Sequence, residues 1–232
     1  MKEVSFNSTE GEKMEMNMKE NMNELGGSFL IAWAMFAGVL GSSSFTVVDG
    51  AVGMGIILAI TWMAFEGAHL LPVVTWSHMM TGDLSDAEGN WMANGMRLVM
   101  QAIGALLAII LATEAGEIDT AWAATEMWIP DIADNLWSVL GMIAAGAVWW
   151  QVHTRCESEW ASAFGLMALA GAMTITGANE MGASLASAGE GIVDTLANWI
   201  CDGLFVGIGA FVGVEIDKMI SDEEEKEEEV AE

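Results

Sequence analysis

The amino-acid sequence predicts an all-α membrane protein with six transmembrane helices, two short re-entrant segments and an inverted repeat. Its 232 residues are 53% hydrophobic, above the roughly 45–50% of soluble domains. Only 17% of the residues are charged, yet the net charge is −26, because 33 acidic residues stand against 7 basic ones. So much acid is compatible with so hydrophobic a chain only if it is confined to the ends and the loops. We therefore expect long charge-free segments between them.

The N-terminal segment, residues 1–24, is polar and is predicted to be a cytoplasmic tail. Met14, Met18, Met22 and Leu25 recur at helical spacing. The segment therefore either ends in an amphipathic helix on the membrane surface or is a frayed terminus. It contains no apolar run, so no signal peptide is expected.

The six predicted crossings are the charge-free segments that follow, within a predicted membrane domain at residues 25–220. Ser28–Val48 is long enough, at 1.5 Å per residue, to cross the ~30 Å hydrocarbon core. The others are shorter and must use flanking residues or lie deep in a bundle: Ala51–Phe65, Leu98–Thr113, Leu136–Val152, Ala161–Thr176 and Gly203–Val214. A large soluble helical bundle is the alternative interpretation.

Two apolar pieces of roughly ten residues, Leu70–Met80 and Gly182–Gly191, are too short to cross and are predicted to be re-entrant or interfacial. Related stretches that begin at Gly67 and Gly177 precede them, at an offset of 110 residues. This offset indicates a weak internal repeat, residues 25–113 and 134–217. A broken segment in each half is typical of inverted-repeat membrane proteins.

The basic residues predict the orientation of the chain. With six crossings, all seven fall on the side of the termini: Lys2, Lys13, Lys19, Arg97, Arg155, Lys218 and Lys226. The positive-inside rule makes that side cytoplasmic. We therefore expect a multi-pass protein of a prokaryotic plasma membrane, with the lipid bilayer as a partner. The acidic segment 221–232 is predicted to be a solvated, disordered tail.

Several functional classes are not expected. Nucleic acid is an unsuitable partner, because its phosphates require a basic surface that this chain lacks. Cys156 and Cys201 form no disulfide framework or zinc spacing, and His78 and His153 have no companions at ligand spacing. No metal site and no cofactor are predicted. With no phosphate-binding loop and no nucleophile–base pair, an enzyme is not expected either.

Two nine-residue stretches, Gly67–Thr75 and Thr176–Ser184, and the start of the first helix, Glu24–Leu30, resemble the aquaporin and glycerol-facilitator family of channels. Gly67-Ala68-His69-Leu70-Leu71-Pro72-Val73-Val74-Thr75 is similar to the family signature Gly-Ala-His-Leu-Asn-Pro-Ala-Val-Thr. Thr176-Gly177-Ala178-Asn179-Glu180-Met181-Gly182-Ala183-Ser184 is similar to Thr-Gly-Ala-Ser-Met-Asn-Pro-Ala-Arg. The resemblance, over about residues 24–217, implies six crossing helices, two half-helices that meet at the midplane, and a homotetramer with one pore per subunit.

Both Asn-Pro-Ala boxes are altered. The resemblance assigns these residues to the half-helix motif: His69, Leu71, Pro72, Val73, Asn179, Glu180, Met181, Gly182 and Ala183. Leu71 and Met181 stand where the family has its two Asn side chains, so the centre of the pore is predicted to be an apolar collar. Pro72 suits the first position of a helix.

The resemblance places the outer selectivity ring at Ala51, Leu169, Ala178 and Ser184. No aromatic, His or Arg side chain stands there, so the outer opening is predicted to be wide and uncharged. These departures favour a passive channel for water or small neutral solutes. Two alternatives remain open: a non-conducting membrane scaffold, and a cation-conducting variant that uses Glu180.

The sequence leaves the roles of individual polar side chains near the two boxes open. Glu180 is either a cap for free backbone N–H groups, which we favour, or a contact for a cation or polar solute. Glu66 is expected at the cytoplasmic mouth, facing water. His69 and Asn179 are predicted to brace the loops.

Aromatic and glycine residues are interpreted structurally. Tryptophans near span ends are predicted to be interfacial anchors: Trp122, Trp128, Trp149, Trp150 and Trp199. Gly203/Gly207 and Gly209/Gly213 are predicted to permit close approach between helices.

Overall fold

The computed structural model describes residues 8–40, 51–116, 135–170, 178–187, 189 and 191–231, which form eight α-helices. In chain order they are α1 Ser8–Leu40, α2 Ala51–Ala64, α3 Pro72–Thr81, α4 Ala93–Gly116, α5 Leu136–Arg155, α6 Glu159–Leu169, α7 Ala178–Ala186 and α8 Ile192–Ala231. A π-helical turn, Ala87–Met92, leads directly into α4. The helix α8 continues through most of the segment for which a disordered tail is predicted.

Local sequence explains several helix starts. Pro72 begins α3, as predicted, because proline has no N–H to satisfy in the first turn. The carboxylate of Asp86 accepts hydrogen bonds from the backbone N–H groups of Glu88 and Gly89 and so caps the π-helical turn. Ser158 caps α6 in the same way.

The two most extensive helix pairs are α1 with α4 and α5 with α8. The short helix α3 lies against α8, and the short helix α7 lies against α4. The helices α2 and α6 pack on each other. Glycine permits the closest approach between α5 and α8, because a Cβ on Gly209 would overlap the carbonyl oxygen of Ile143. The predicted role of Gly209 in close helix approach is confirmed.

The prediction of six crossings and two re-entrant half-helices is wrong. Within the described ranges only two helical segments are long and apolar enough to cross a membrane, Ala87–Glu114 and Ile192–Asp222, of 28 and 31 residues. The apolar segments assigned to α2 and α6 form helices of only 14 and 11 residues. A charge-free run crosses a bilayer only if it forms a helix of about 20 residues. The aquaporin-like fold that the resemblance implies is not shown.

The two membrane-length helices present apolar side chains to the surface. On α4 the exposed apolar residues recur at intervals of three or four and form one stripe: Met96, Val99, Ile103, Leu107 and Ile110. On α8 they include Val193, Leu196, Ile200, Phe211 and Ile216. Lipid-facing helices present stripes of this kind, and in water such patches are uncommon on a single chain.

Buried apolar side chains form separate clusters. Leu71 belongs to the largest one, which includes residues of α1, α2, α3, α5, α6 and α8. Met181 lies in another, with Ala102 and Trp199. The interpretation of Trp149, Trp150 and Trp199 as interfacial anchors is wrong, because all three are buried. Trp122 and Trp128 lie outside the described residues.

Candidate functional site

The connection between α2 and α3 is held in place by one buried carboxylate. Glu24 of α1 has a fully buried side chain. Its Oε1 accepts a hydrogen bond of 2.5 Å from the backbone N–H of His69, and its Oε2 accepts one of 2.8 Å from Leu70. Both N–H groups precede α3, where no preceding helical turn supplies carbonyl acceptors. The side chain of Glu24 therefore fixes the path of the chain into α3.

Two side chains of α4 donate further hydrogen bonds to the Glu24 carboxylate. Arg97 Nη1 lies 3.0 Å from Glu24 Oε1 and donates to the carbonyl oxygen of Gly67 at 2.7 Å, while Nη2 lies 2.6 Å from Glu20 Oε2. Gln101 Nε2 lies 2.9 Å from Glu24 Oε2. A buried charge is tolerated when it is paired and hydrogen-bonded in this way.

All three histidines of the chain meet beside this connection. The rings of His69 and His78 stack in parallel with centroids 4.0 Å apart, and His153 meets His78 edge-on at 5.7 Å. Trp149 stacks on His153 at 5.0 Å, and Trp150 meets His78 at 4.9 Å. The three histidines come from the α2–α3 connection, α3 and the last turn of α5, so their separation in sequence concealed the cluster.

The three histidine rings line a cavity of about 430 Å³ that opens to the surface. Its wall includes Trp62 and Val74 besides the histidines, and exposed carboxylates of Glu66, Glu157 and Glu159 stand around it. Glu66 is exposed at the edge of this cavity.

The imidazole of His69 is nine-tenths buried, and its Nδ1 has no hydrogen-bond partner among the described residues. Its backbone carbonyl accepts from Trp62 Nε1 at 3.3 Å. A buried polar atom without a partner carries a desolvation cost, which a bound molecule can remove.

The histidines are held neutral at pH 7, and all three lie outside the two membrane-length helices. Burial lowers the pKa of His78 to about 3, with further contributions from the charges of His153 and Arg97. Burial also lowers the pKa of His69, aided by His78, Arg97 and His153, and burial alone lowers the pKa of His153. Neutral imidazole can accept a hydrogen bond through its unprotonated nitrogen.

No group of three metal-ligating side chains is suitably placed for a metal ion in the part of the chain that the structure describes. For His69 and His78, the parallel stacking of the two rings explains why they do not form a metal site. The lone pairs of an imidazole lie in the plane of its ring, so those of His69 and His78 do not converge on one point between the rings.

The residues of the second predicted box lie in α7 and do not line the histidine cavity. The carboxylate of Glu180, in α7, is near Asp202 of α8, and burial followed by the charge of Asp202 raises the pKa of Glu180 to about 7. No hydrogen bond joins Glu180 to a backbone N–H group within the described ranges. Gly182 packs closely against the backbone of α4 at Ala105 and Leu106.

The structure describes the side chains of two of the four residues in the predicted selectivity ring. Ser184 is buried in α7, and Leu169 ends α6, partly buried against the largest apolar cluster. The side chains of Ala51, Ala178 and Asn179 lie outside the described residues. In α3 and α7 the other motif residues Val73 and Ala183 are buried.

Sequence reasoning missed the residues that build this site: Glu24, Arg97, Gln101, His78 and His153. One available signal was that Glu24 is the last charged residue before the charge-free segment that begins at Ser28. A charge at the edge of an apolar helix is a candidate for burial with a partner.

No family model, no curated protein and no solved structure matches the chain.

Proposed function

We propose that this chain is a passive membrane channel for water or small neutral solutes. The observation that carries the proposal is the cavity beside α3, which leads from the surface to His69 and Val74. Val74 and the neighbouring Leu71 are almost completely buried. An inlet that ends at apolar side chains fits a hydrophobic constriction, which can gate a pore by dewetting. The resemblance of residues 67–75 and 176–184 to channel signatures supports the same function.

We further propose that the cavity opens to the cytoplasm and that the chain crosses the membrane more than once with its termini inside. Arg97 binds the connection that carries His69, and Arg155 follows His153 by two residues and pairs with Asp217. Lys218 is adjacent to Asp217. These basic residues therefore gather at the same end as the cavity, which the positive-inside rule assigns to the cytoplasm. A homotetramer in the plasma membrane is the assembly we propose.

Stopped-flow light scattering on proteoliposomes tests the channel proposal with water, glycerol and urea. We expect solute or water flux above that of empty liposomes. Leu71→Asn should raise the water flux, because Asn adds hydrogen-bonding groups at a buried position next to Val74, which lines the cavity, and is also a good N-cap for α3. Leu84→Asn is the matched control, since Leu84 is exposed and outside the cavity. If neither the wild type nor Leu71→Asn gives a flux above that of empty liposomes, the channel proposal is rejected in favour of the non-conducting scaffold.

A cation-conducting channel is a second candidate, favoured by the buried Asp202 on membrane-length α8 and its neighbour Glu180. Ionisable residues in membrane-spanning helices commonly mark ion pathways. Planar-bilayer recording tests this candidate: a current that Glu180→Gln reduces supports it. The absence of current from both proteins, in preparations that pass solute in the flux assay, would reject it.

A further inference from the structure

We infer that a groove between α5 and α8 binds one phospholipid with a zwitterionic, primary-amine headgroup, of which phosphatidylethanolamine is the common example. The inference rests on the proposed membrane location of the chain. It goes beyond the proposed function, because it assigns a particular lipid to a particular site and does not require that the chain conduct. Three features carry it: a recess with apolar sides, an exposed ion pair in its wall, and the acidic surroundings of that pair.

The recess lies where small residues bring α5 and α8 together. Ala147 of α5 and Gly213 of α8 both line it, and a Cβ on Gly213 would stand 2.9 Å from the Ala147 carbonyl oxygen. Gln151 Nε2 donates to the Gly213 carbonyl oxygen at 2.9 Å and so joins the two helices beside this contact. The close contact and the hydrogen bond fix the two helices that form the groove.

The size and lining of the groove suit an acyl chain. Val148, Ile216 and Ile220 line it and are about half exposed, at 54%, 50% and 52%. Its volume of about 260 Å³ is small beside a helix, which is about 10–12 Å across, so a helix of a second copy would insert no more than side chains. An extended acyl chain is narrow enough to lie along the groove, where van der Waals packing favours it.

The ion pair in the wall offers both signs of charge to a headgroup. Arg155 Nη2 donates to Asp217 Oδ1, and no other hydrogen bond of either side chain is found among the described residues. The remaining guanidinium donors can therefore bind a phosphate, and Asp217 Oδ2 can accept from an ammonium group. Arg155 ends α5, and Asp217 lies five residues before the end of the membrane-length segment Ile192–Asp222. In the proposed orientation both stand at the level of the lipid headgroups.

The acidic surroundings favour a zwitterionic headgroup over an anionic one. Lys218 is paired with Glu215 at 2.7 Å, and the exposed Glu157 follows Arg155 by two residues. Three carboxylates thus stand with two cationic groups at this end of the helices, in a chain whose net charge is −26. An anionic lipid meets repulsion there, whereas a zwitterion supplies an ammonium group for Asp217 together with its phosphate. A trimethylammonium headgroup has no N–H and cannot donate to the carboxylate.

Native mass spectrometry of the full chain in detergent tests this inference. The protein is titrated with phosphatidylethanolamine, phosphatidylcholine and phosphatidylglycerol that carry the same acyl chains. We expect saturable binding of one phosphatidylethanolamine per chain, at least about 10-fold tighter than binding of the other two, because only its ammonium donates a charge-assisted hydrogen bond to Asp217. Glycerophosphoethanolamine, which has the headgroup without acyl chains, should not compete at the same concentration.

Two variants locate the site. Asp217→Asn should abolish the preference for phosphatidylethanolamine over phosphatidylcholine, with Asp222→Asn, also exposed on α8, as the matched control. Loss of an exposed ion pair costs little stability, so Asp217→Asn should fold. Val148→Phe fills the groove and should weaken binding of both lipids. Val99→Phe is its matched control, because Val99 is 51% exposed and lies on α4, outside the groove.

Equal affinity for the three lipids, or a preference that survives Asp217→Asn, would overturn the inference. If Val148→Phe changes the mass of the oligomer and leaves lipid binding unchanged, a second copy covers the groove and the inference is also overturned. A preference for phosphatidylethanolamine in a protein that passes no solute in the flux assay would support the groove and reject the channel. Flux without that preference would support the channel and reject the groove.

Discussion

Glu24 Oε2 accepts a hydrogen bond of 2.8 Å from the backbone N–H of Leu70, whose φ is 67°. Leu70 is the single non-glycine residue with a positive φ among the described residues. Its left-handed conformation is unfavourable for a side chain with a Cβ and persists when surrounding contacts impose it. The carboxylate of Glu24 is one such contact, and the Ser28 hydroxyl, which donates to the Leu70 carbonyl at 3.1 Å, is another.

Glu24→Gln should therefore strongly destabilise the fold. Gln keeps the shape but loses the charge that Arg97 requires, and its NH₂ group opposes a backbone N–H. Breaking a buried pair in this way costs about 3–5 kcal/mol. Thermal unfolding in detergent measures the loss. Glu20→Gln is the matched control, because the side chain of Glu20 is 36% exposed and a pair of this kind contributes about 0–1 kcal/mol. Equal effects of the two substitutions would contradict the role of Glu24.

Gly209→Ala should separate α5 from α8. A Cβ at this position would overlap the Ile143 carbonyl oxygen, and backbone cannot move aside as a flexible side chain can. We expect a loss of about 1–3 kcal/mol in the free energy of unfolding. Gly95→Ala is the matched control: nothing lies within 4 Å of a Cβ there, and alanine is a better helix former by about 1 kcal/mol. A stabilising Gly209→Ala would refute the close approach.

Stability should fall as the pH is lowered below 6.5, in part because of His78. Its pKa is about 3 when folded and 6.5 ordinarily, so between these values the unfolded chain binds more protons. The free energy of unfolding then decreases with falling pH, by up to about 1.4 kcal/mol per pH unit for one group.

The contribution of His78 is isolated by comparing Tm against pH for the wild type and His78→Phe. The difference between the two profiles should change steadily from pH 6.5 downward and remain constant above pH 7.5. The comparison is needed because the raised pKa of Glu180 acts in the opposite direction, favouring the folded state as the pH falls below about 7. Parallel profiles would show that His78 does not titrate as its burial requires.

Cys156 should report the charge of the cavity mouth. Its thiol is exposed and lines the cavity, beside the carboxylate of Glu157. We expect a trimethylammonium-ethyl methanethiosulfonate to modify it about 10-fold faster than the sulfonatoethyl analogue, because the acidic mouth concentrates cations. The rates are measured by mass spectrometry at low salt, with Cys201→Ser to remove the second thiol. High salt should reduce the preference, and equal rates at low salt would contradict an acidic mouth.

The start of α3 illustrates what local sequence can predict. Proline at position 72 suits the first turn of a helix and is unfavourable in a helix interior, because its ring fixes φ and removes an N–H. The close approach at Gly209 is similar, since only a residue without Cβ tolerates it. Both predictions rest on the identity of one residue, although the partner that Gly209 approaches, Ile143, was not predictable from that residue.

The number of crossings and the candidate site depend on contacts between distant residues. The chain by itself determined that it is helical, apolar and acidic, whereas the finding that only two described helical segments reach membrane length came from the structure. Tertiary structure decided that Glu24 binds a connection 45 residues away and that His69, His78 and His153 share one cavity. The physical reason is that periodicity reports which face of a helix is apolar, whereas hydrogen bonds and ring stacking depend on which helices are neighbours. Spacing along the chain therefore concealed a cluster that packing brought together.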